Sequence, residues 1–393
     1  MASPGAGGAP SLAGFGGVHP GAWFELRVAA AAPLAPAFFV LGLSSVDLPI
    51  LDGLLVPSPD VVVPRATDAA GRAVFVGKWP ATLPAGVPLF AQAWVLESSA
   101  PLTAASSNAL LATSAAGPEW GGFPATWIWG ENCGTETKIQ VHAYNPDFYI
   151  LRQSICTNFE APFFYLLMGA TKALLLDTGA GNIQLASTVS GLVANWAAVR
   201  GIPTPPITVV HSHAHGDHVQ ADAQFAAVPG AVVAGKTLAQ VVQFFGFANW
   251  PNDVVTLDLG GRIVDVLGIP GHQATHIALY DRRTGTLLTG DSLYPGRLYV
   301  NGAQSQGNWA VFKASVQRLV DFTATRPLVW VLGTHIEMTK TPGVDFRIGA
   351  GVHPNERELQ LTRDHLLLLD AELDNLPNPA FKTTPAFIIY PIG

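Results

Sequence analysis

Between residues 23 and 113 the apolar positions fall in short runs, at 24–29, 37–43, 61–63, 73–76 and 89–95, each cut off by Pro, Gly or Asp. No stretch there carries apolar residues at helical spacing over a useful length. Short β-like runs with turn residues between them predict strands, and several in succession predict a small all-β, sandwich-like domain over 21–118. Residues 1–20 are rich in Gly, Ala and Pro and are expected to form a flexible N-terminus. The Ser-Ala-Ala-Gly-Pro stretch at 114–118 reads as a linker.

Past the linker, over 119–393, the pattern changes to strands alternating with helices. Runs at 148–152, 163–167 and 173–176 read as strands, and 183–199 has helical spacing. Short apolar strands follow at 207–210, 231–234, 263–266, 277–280 and 287–288. A helix is predicted over 310–322 and a strand over 328–332. A closing helix runs from Asn355 to Leu373, with Asn355 as its N-cap and Glu358 three residues on. This order predicts an α/β domain of two mixed sheets packed together, with helices outside.

Composition agrees with two domains. The chain has 393 residues, 49% of them hydrophobic and only 12% charged, with 40 Gly and 31 Pro. That balance suits strands and tight turns better than long solvated helices. With a formal charge of −7 and no Lys/Arg run, nucleic acid is disfavoured as a partner and none is expected. The most apolar N-terminal stretch, 28–43, is interrupted by Pro33 and Pro36 and is too short to span a bilayer, so no transmembrane segment is expected. No charged n-region with an apolar h-region opens the chain. Its Met-Ala-Ser-Pro-Gly start reads as one placed ahead of a mature chain, which leaves export with a removed signal open. Cys133 and Cys156 either pair across their loop, a link that contributes about 3 kcal/mol in the chain-entropy model, or stay as two buried thiols. Neither belongs to a zinc-knuckle pattern.

The densest chemistry is His213-Ala-His215-Gly-Asp217-His218, directly after the apolar run 207–210. Four metal-binding side chains fall within six residues. A strand running into a loop lets alternate His side chains point together. Neutral imidazoles with a carboxylate are the ligand set of hydrolytic zinc sites. His211 also alternates with His213 and His215, but Asp217-His218 fixes the register. His211 is then a strand-end residue or a partner behind the ligands.

Ser212-His213-Ala-His215-Gly-Asp217-His218 resembles the signature of the metallo-β-lactamase superfamily, which includes glyoxalase II thioesterases, acyl-homoserine lactonases and β-lactamases. The superfamily's other motifs follow in order: Leu176-Asp177-Thr178-Gly179, Pro270-Gly271-His272, Thr289-Gly290-Asp291 and Gly333-Thr334-His335. The resemblance covers roughly 126–393 and implies the αββα sandwich. It also implies two divalent metal ions, zinc first, with manganese or iron as alternatives. His213, His215 and His272 would hold one ion, Asp217, His218 and His335 the other, and Asp291 would bridge them. Asp177 would hydrogen-bond around the metal loop rather than ligate.

Two such ions share a water and lower its pKa toward neutrality, giving a bridging hydroxide able to attack an acyl carbon. Asp217 thereby becomes catalytic as well as a ligand. Tyr294 either donates to a developing oxyanion, as in the lactonases, or is a packed loop aromatic. His276 reads as structural. Glu337 orients a ligand or caps its loop. His19, His142, His353 and His365 carry no motif.

The expected function is hydrolysis of a small-molecule ester, thioester or lactone. Gly-x-Ser-x-Gly is absent and no Cys neighbours a base, which argues against a serine or cysteine nucleophile. His215 and the complete second ligand set set the chain apart from the superfamily's diiron flavoproteins and mononuclear dioxygenases. Asp291 argues against the β-lactam amide alternative, because the β-lactamase branches lack that bridge. A second class stays open. Residues 90–97 followed by 107–110 resemble small β modules of exported bacterial proteins. The N-terminal module is then either an accessory packing domain with no ligand or the functional part, binding or anchoring.

Overall fold

Period-two burial builds the first part of the chain. In Trp23–Ala29, Phe24, Leu26 and Val28 are buried while Arg27 faces solvent, and Pro36–Gly42 alternates as far as Phe39, beyond which Val40 is buried on the other face. The computed structural model describes residues 9–16, 18, 23–51, 53–80, 84–97, 103–114, 118, 119, 121–300 and 306–392. It divides the chain into the units Met1–Pro118 and Glu119–Gly393.

Among the described residues of the first unit, Trp23–Ala29 pairs with Ser11–Gly16 and Ala73–Lys78. A second sheet runs Leu110–Thr113, Pro88–Glu97, Pro36–Gly42, Val61–Ala66, with Thr103–Ser106 also on Pro88–Glu97. Phe24, Leu26 and Val28 of one sheet share a core with Phe39, Ala93 and Val95 of the other, so this all-β unit is a sandwich. Ser11–Gly16 lies inside the stretch expected to be flexible. Its backbone pairs with Trp23–Ala29, and the Asn108 side chain bonds both the N–H and the carbonyl of Leu12.

The second unit holds two six-stranded sheets. The first runs Ile139–Asn145, Phe148–Gln153, Phe163–Met168, Ala173–Leu176, Ile207–Val210, Val232–Val233. The second runs Val254–Asp258, Ile263–Gly268, Ile277–Asp281, Thr286–Gly290, Trp330–Gly333, Gln360–Leu361. Phe163–Met168 is buried at every position because both faces are covered. Phe163, Tyr165 and Leu167 enter the core between the sheets, while Phe164, Leu166 and Met168 pack with Val189, Val193 and Trp196 of the helix Leu185–Arg200. On the far side, the second sheet packs on Phe312 and Val316 of Gln306–Thr323 and on Leu366 and Leu369 of Arg363–Asp374. The αββα order expected from the sequence is thus observed.

In each sheet a parallel pair is joined through a long helix, and in the first sheet Val232–Val233 adds a further parallel pairing on Ile207–Val210. Ala173–Leu176 and Ile207–Val210 are linked by Leu185–Arg200, and Thr286–Gly290 and Trp330–Gly333 by Gln306–Thr323. Parallel pairing puts the C-terminal ends of both members at one edge.

The closing helix differs from expectation. It is Arg363–Asp374, capped at Thr362, whose N–H donates to His365 Nδ1. Asn355 instead turns the chain with φ 58°. Cys133 and Cys156 are disulfide-bonded. Among the described residues no helix is long and apolar enough to cross a membrane.

Candidate metal centre

The residues that follow the two parallel strand pairs converge. Asp177 comes directly after Ala173–Leu176, and His213 three residues after Ile207–Val210. Asp291 follows Thr286–Gly290, and His335 comes two residues after Trp330–Gly333. The turn His215–Val219 adds His215, Asp217 and His218, and the loop after Ile263–Gly268 brings His272. Two groups of candidate ligand atoms result, one from His213, His215 and His272, the other from Asp217, His218, Asp291 and His335.

Asp291 lies between the groups. Its Oδ2 is 3.6 Å from His213 Nε2, 3.5 Å from His218 Nε2 and 3.5 Å from His272 Nε2, and its Oδ1 is 3.3 Å from His335 Nε2. Asp217 Oδ2 lies 3.0 Å from His218 Nε2 and 3.3 Å from His335 Nε2. His215 Nδ1 is 2.9 Å from His213 Nε2 and 3.0 Å from His272 Nε2.

The partners behind the rings fix their tautomers. A backbone carbonyl only accepts, so His272 Nδ1 donates to Tyr299 O at 2.6 Å and His335 Nδ1 donates to Glu160 O at 2.9 Å. His218 Nδ1 lies 3.0 Å from Asp177 Oδ2 and donates to that buried carboxylate. Asp177 also accepts the Ser212 N–H at 2.6 Å and the Ser212 hydroxyl at 2.7 Å, which ties the histidine loop to the first strand pair. The ring of His272 therefore turns an Nε2 lone pair inward, and His335 does the same in its neutral form, toward one another's groups and toward carboxylate oxygens. His218 Nε2 is buried and makes no hydrogen bond. Lone pairs and anionic oxygens facing each other in a buried cluster repel without a cation, so this donor set fits divalent ions.

The electrostatics agree. Burial holds His213 well below the usual imidazole range and brings His272 down to about 4, as suits neutral ligands. Burial also pulls His218 and His335 down. The carboxylates outweigh it, Asp217 and Asp291 above all, and in the absence of metal both imidazoles are held well above the usual range. Burial pushes Asp291 up, but His335, His218 and His213 hold it well below the carboxylate range. Protons on His218 and His335 stand where a cation would supply the charge.

The remaining sequence candidates fall elsewhere. His211 Nε2 meets Asp222 Oδ1 at 2.9 Å, outside both groups. Tyr294 is buried beside the His335 ring, and its hydroxyl donates to Arg297 O. Of the two readings of Tyr294, this geometry is that of the packed loop aromatic. His276 is buried against Ser292. His353 bonds Glu356 and His142 bonds Gly122 O; His19 lies outside the described residues. Glu160 and Tyr299 were missed from the sequence, since they act through backbone carbonyls that carry no residue signal. They also line a pocket with Phe159, Arg297, Glu337 and Phe346.

Residues 158–324 match the family model of the metallo-beta-lactamase superfamily. The chain is 33% identical over 97 residues to a hydroxyacylglutathione hydrolase of Synechococcus sp. (strain JA-3-3Ab), covering 23% of this chain and 36% of that one. It is 28% identical over 164 residues to the acyl-coenzyme A thioesterase MBLAC2 of Bos taurus, covering 34% and 59%. The chain thus spans less than two thirds of either relative. Among solved structures, the DIM-1 metallo-beta-lactamase aligns at 10% identity and TM-score 0.41, over 61% of this chain and 98% of that one. A metallo-beta-lactamase from Pontibacter korlensis aligns at 16% identity and TM-score 0.41, over 60% and 99%.

Proposed function

Since this chain carries a metallo-beta-lactamase superfamily domain, we propose that it is a dinuclear metal-dependent hydrolase of a small-molecule thioester, ester or lactone. The observation that carries the reading is Asp291, whose two oxygens face histidines of both ligand groups. His213, His215 and His272 would hold one ion, Asp217, His218 and His335 the other, with Asp291 shared. When bound, such ions supply an activated water and Lewis acidity toward an acyl carbonyl.

The chain's own residues set the stage. Asp177, Tyr299 O and Glu160 O hold the imidazoles of His218, His272 and His335 by their Nδ1 atoms, so that every Nε2 points inward. The Thr334 hydroxyl donates to Asp291 Oδ1, orienting that carboxylate between the groups. The pocket beside Glu160 and Tyr299 would receive the acyl or leaving portion of the substrate. Tyr294 keeps a supporting place, because its hydroxyl is already engaged by Arg297 O. The two relatives are named for hydrolysis of a hydroxyacylglutathione and of an acyl-coenzyme A. Both are thioesters, which favours that member of the set.

The test is elemental analysis of protein prepared without added metal and then reconstituted, followed by a screen of thioesters, lactones and β-lactams. Two ions per chain with thioester or lactone turnover is the expected result. One ion, or turnover of β-lactams alone, would overturn the reading.

A further inference from the structure

Two loops leave adjacent parallel strands with a candidate ligand on each. Residues 291–297 follow Thr286–Gly290 and carry Asp291; residues 334–337 follow Trp330–Gly333 and carry His335. We infer that Glu337 is a positioning residue, clasping these two loops so that Asp291 and His335 keep their spacing. The inference rests on the dinuclear reading above.

Glu337 Oε2 accepts the backbone N–H of Arg297 at 2.7 Å and lies 3.3 Å from the Tyr294 hydroxyl, while Oε1 is 3.3 Å from Arg297 Nη1. The backbone adds to the clasp. Glu337 N–H and Met338 N–H both donate to Pro295 O, at 2.8 and 3.1 Å, and Thr334 N–H donates to Gly290 O at 3.2 Å. The loops meet without spare room. A Cβ on Gly296 would strike the Tyr294 ring and the Glu337 carboxylate, and one on Gly333 would strike Tyr294 Cβ and Leu293 O. A carboxylate that holds a main-chain N–H of the opposite loop fixes that loop's path, because few alternative acceptors exist in a buried crossing.

The competing account is that Glu337 merely neutralises the buried Arg297. Asp345 separates the two. It also pairs with that guanidinium, Oδ2 to Nη2 at 2.6 Å, but from the solvent side. Charge compensation would involve both acids; the clasp involves Glu337 alone.

The experiment compares full-length parent, Glu337→Gln and Asp345→Asn by amide hydrogen exchange in chelator and by zinc titration. In Glu337→Gln the amides of 334–338 should exchange at least about tenfold faster, while those of 213–218 keep the parent rate. One zinc equivalent should weaken by about 10–100-fold and the other should not. Asp345→Asn should match the parent in both. Unchanged exchange in Glu337→Gln, or equal loosening in Asp345→Asn, overturns the inference. Should Glu337→Gln not fold, Glu337→Asp, which keeps the charge and shortens the reach, carries the same expectations. A parent that takes up one zinc refutes the dinuclear reading, and the metal-free exchange comparison still decides this one.

Discussion

At the scale of single residues, the centre is a balance between buried imidazoles that resist protonation and buried carboxylates that demand it. Asp217 contributes to one ligand group only, within reach of His218 and His335. Asp217→Ala should therefore abolish turnover and remove one metal per chain, with the fold intact by circular dichroism. Activity within about tenfold of the parent would contradict that role, because it would leave the activated water undisturbed. Tyr294→Phe should do the opposite. The hydroxyl is spent on Arg297 O, so turnover should stay within a few-fold, while stability falls by about 1 kcal/mol for the lost hydrogen bond. A hundredfold loss confined to turnover would restore the oxyanion role. The titrating groups make a third prediction. His218 and His335, raised by carboxylates, stabilise the metal-free fold below the ordinary imidazole pKa and lose that contribution as pH rises through their folded values. His213 and His272, lowered by burial, act in the other direction and cost stability as pH falls below it. Metal-free protein should thus melt highest near about pH 6.5, and saturating zinc should remove the alkaline decline. A melting temperature in chelator that climbs steadily from pH 6 to 9 would contradict the balance.

At the scale of elements, the chain shows its strands where burial is one-sided or complete and conceals those held by partners. The runs at 163–167, 173–176 and 207–210 are legible because both faces are apolar, and all five motifs sit at or just beyond the loop ends that the strands position. Ser11–Gly16 is not, since its pairing is through backbone and four of its six residues are Ser, Ala or Gly. Leu238–Phe245 went unread although Thr237 and Gln240 form a capping box ahead of it. Asn355 and Glu358 imitate the start of a helix that is in fact capped at Thr362; spacing alone cannot tell a cap from a left-handed turn. Least legible are contacts between distant elements. Arg152, on Phe148–Gln153, forms a two-pronged pair with Glu356 at 2.5 and 2.6 Å, both side chains buried. Glu356→Ala would leave that guanidinium buried and unpaired, and should cost about 3–5 kcal/mol in denaturant melts. A loss below about 1 kcal/mol would mean that water reaches Arg152 once the partner is gone.

At the scale of the whole molecule, the seven candidate ligands and the Cys133–Cys156 link all fall within Glu119–Gly393. Each core cluster of buried residues draws its members from one unit. Phe24, Phe39 and Val95 belong to the sandwich, and Phe148, Phe164 and Phe312 to the second unit. A unit with its own core is the piece of chain expected to survive a cut at its border. Of the linker stretch 114–118, residues 115–117 lie outside the described residues, so the prediction rests on composition: Ser, Ala, Gly and Pro between two cores make a ready proteolytic site. Limited proteolysis should give a fragment beginning near Glu119 that keeps its disulfide, its metal content and its thermal transition. Kinetics on that fragment then assign the sandwich. If turnover and KM for the best substrate are unchanged, the N-terminal unit serves binding or anchoring away from the chemistry. A rise in KM alone, with two ions still bound, would make it part of substrate recognition. Protection of 114–118 throughout digestion, or a fragment that precipitates on release, would show instead that the second unit depends on the first.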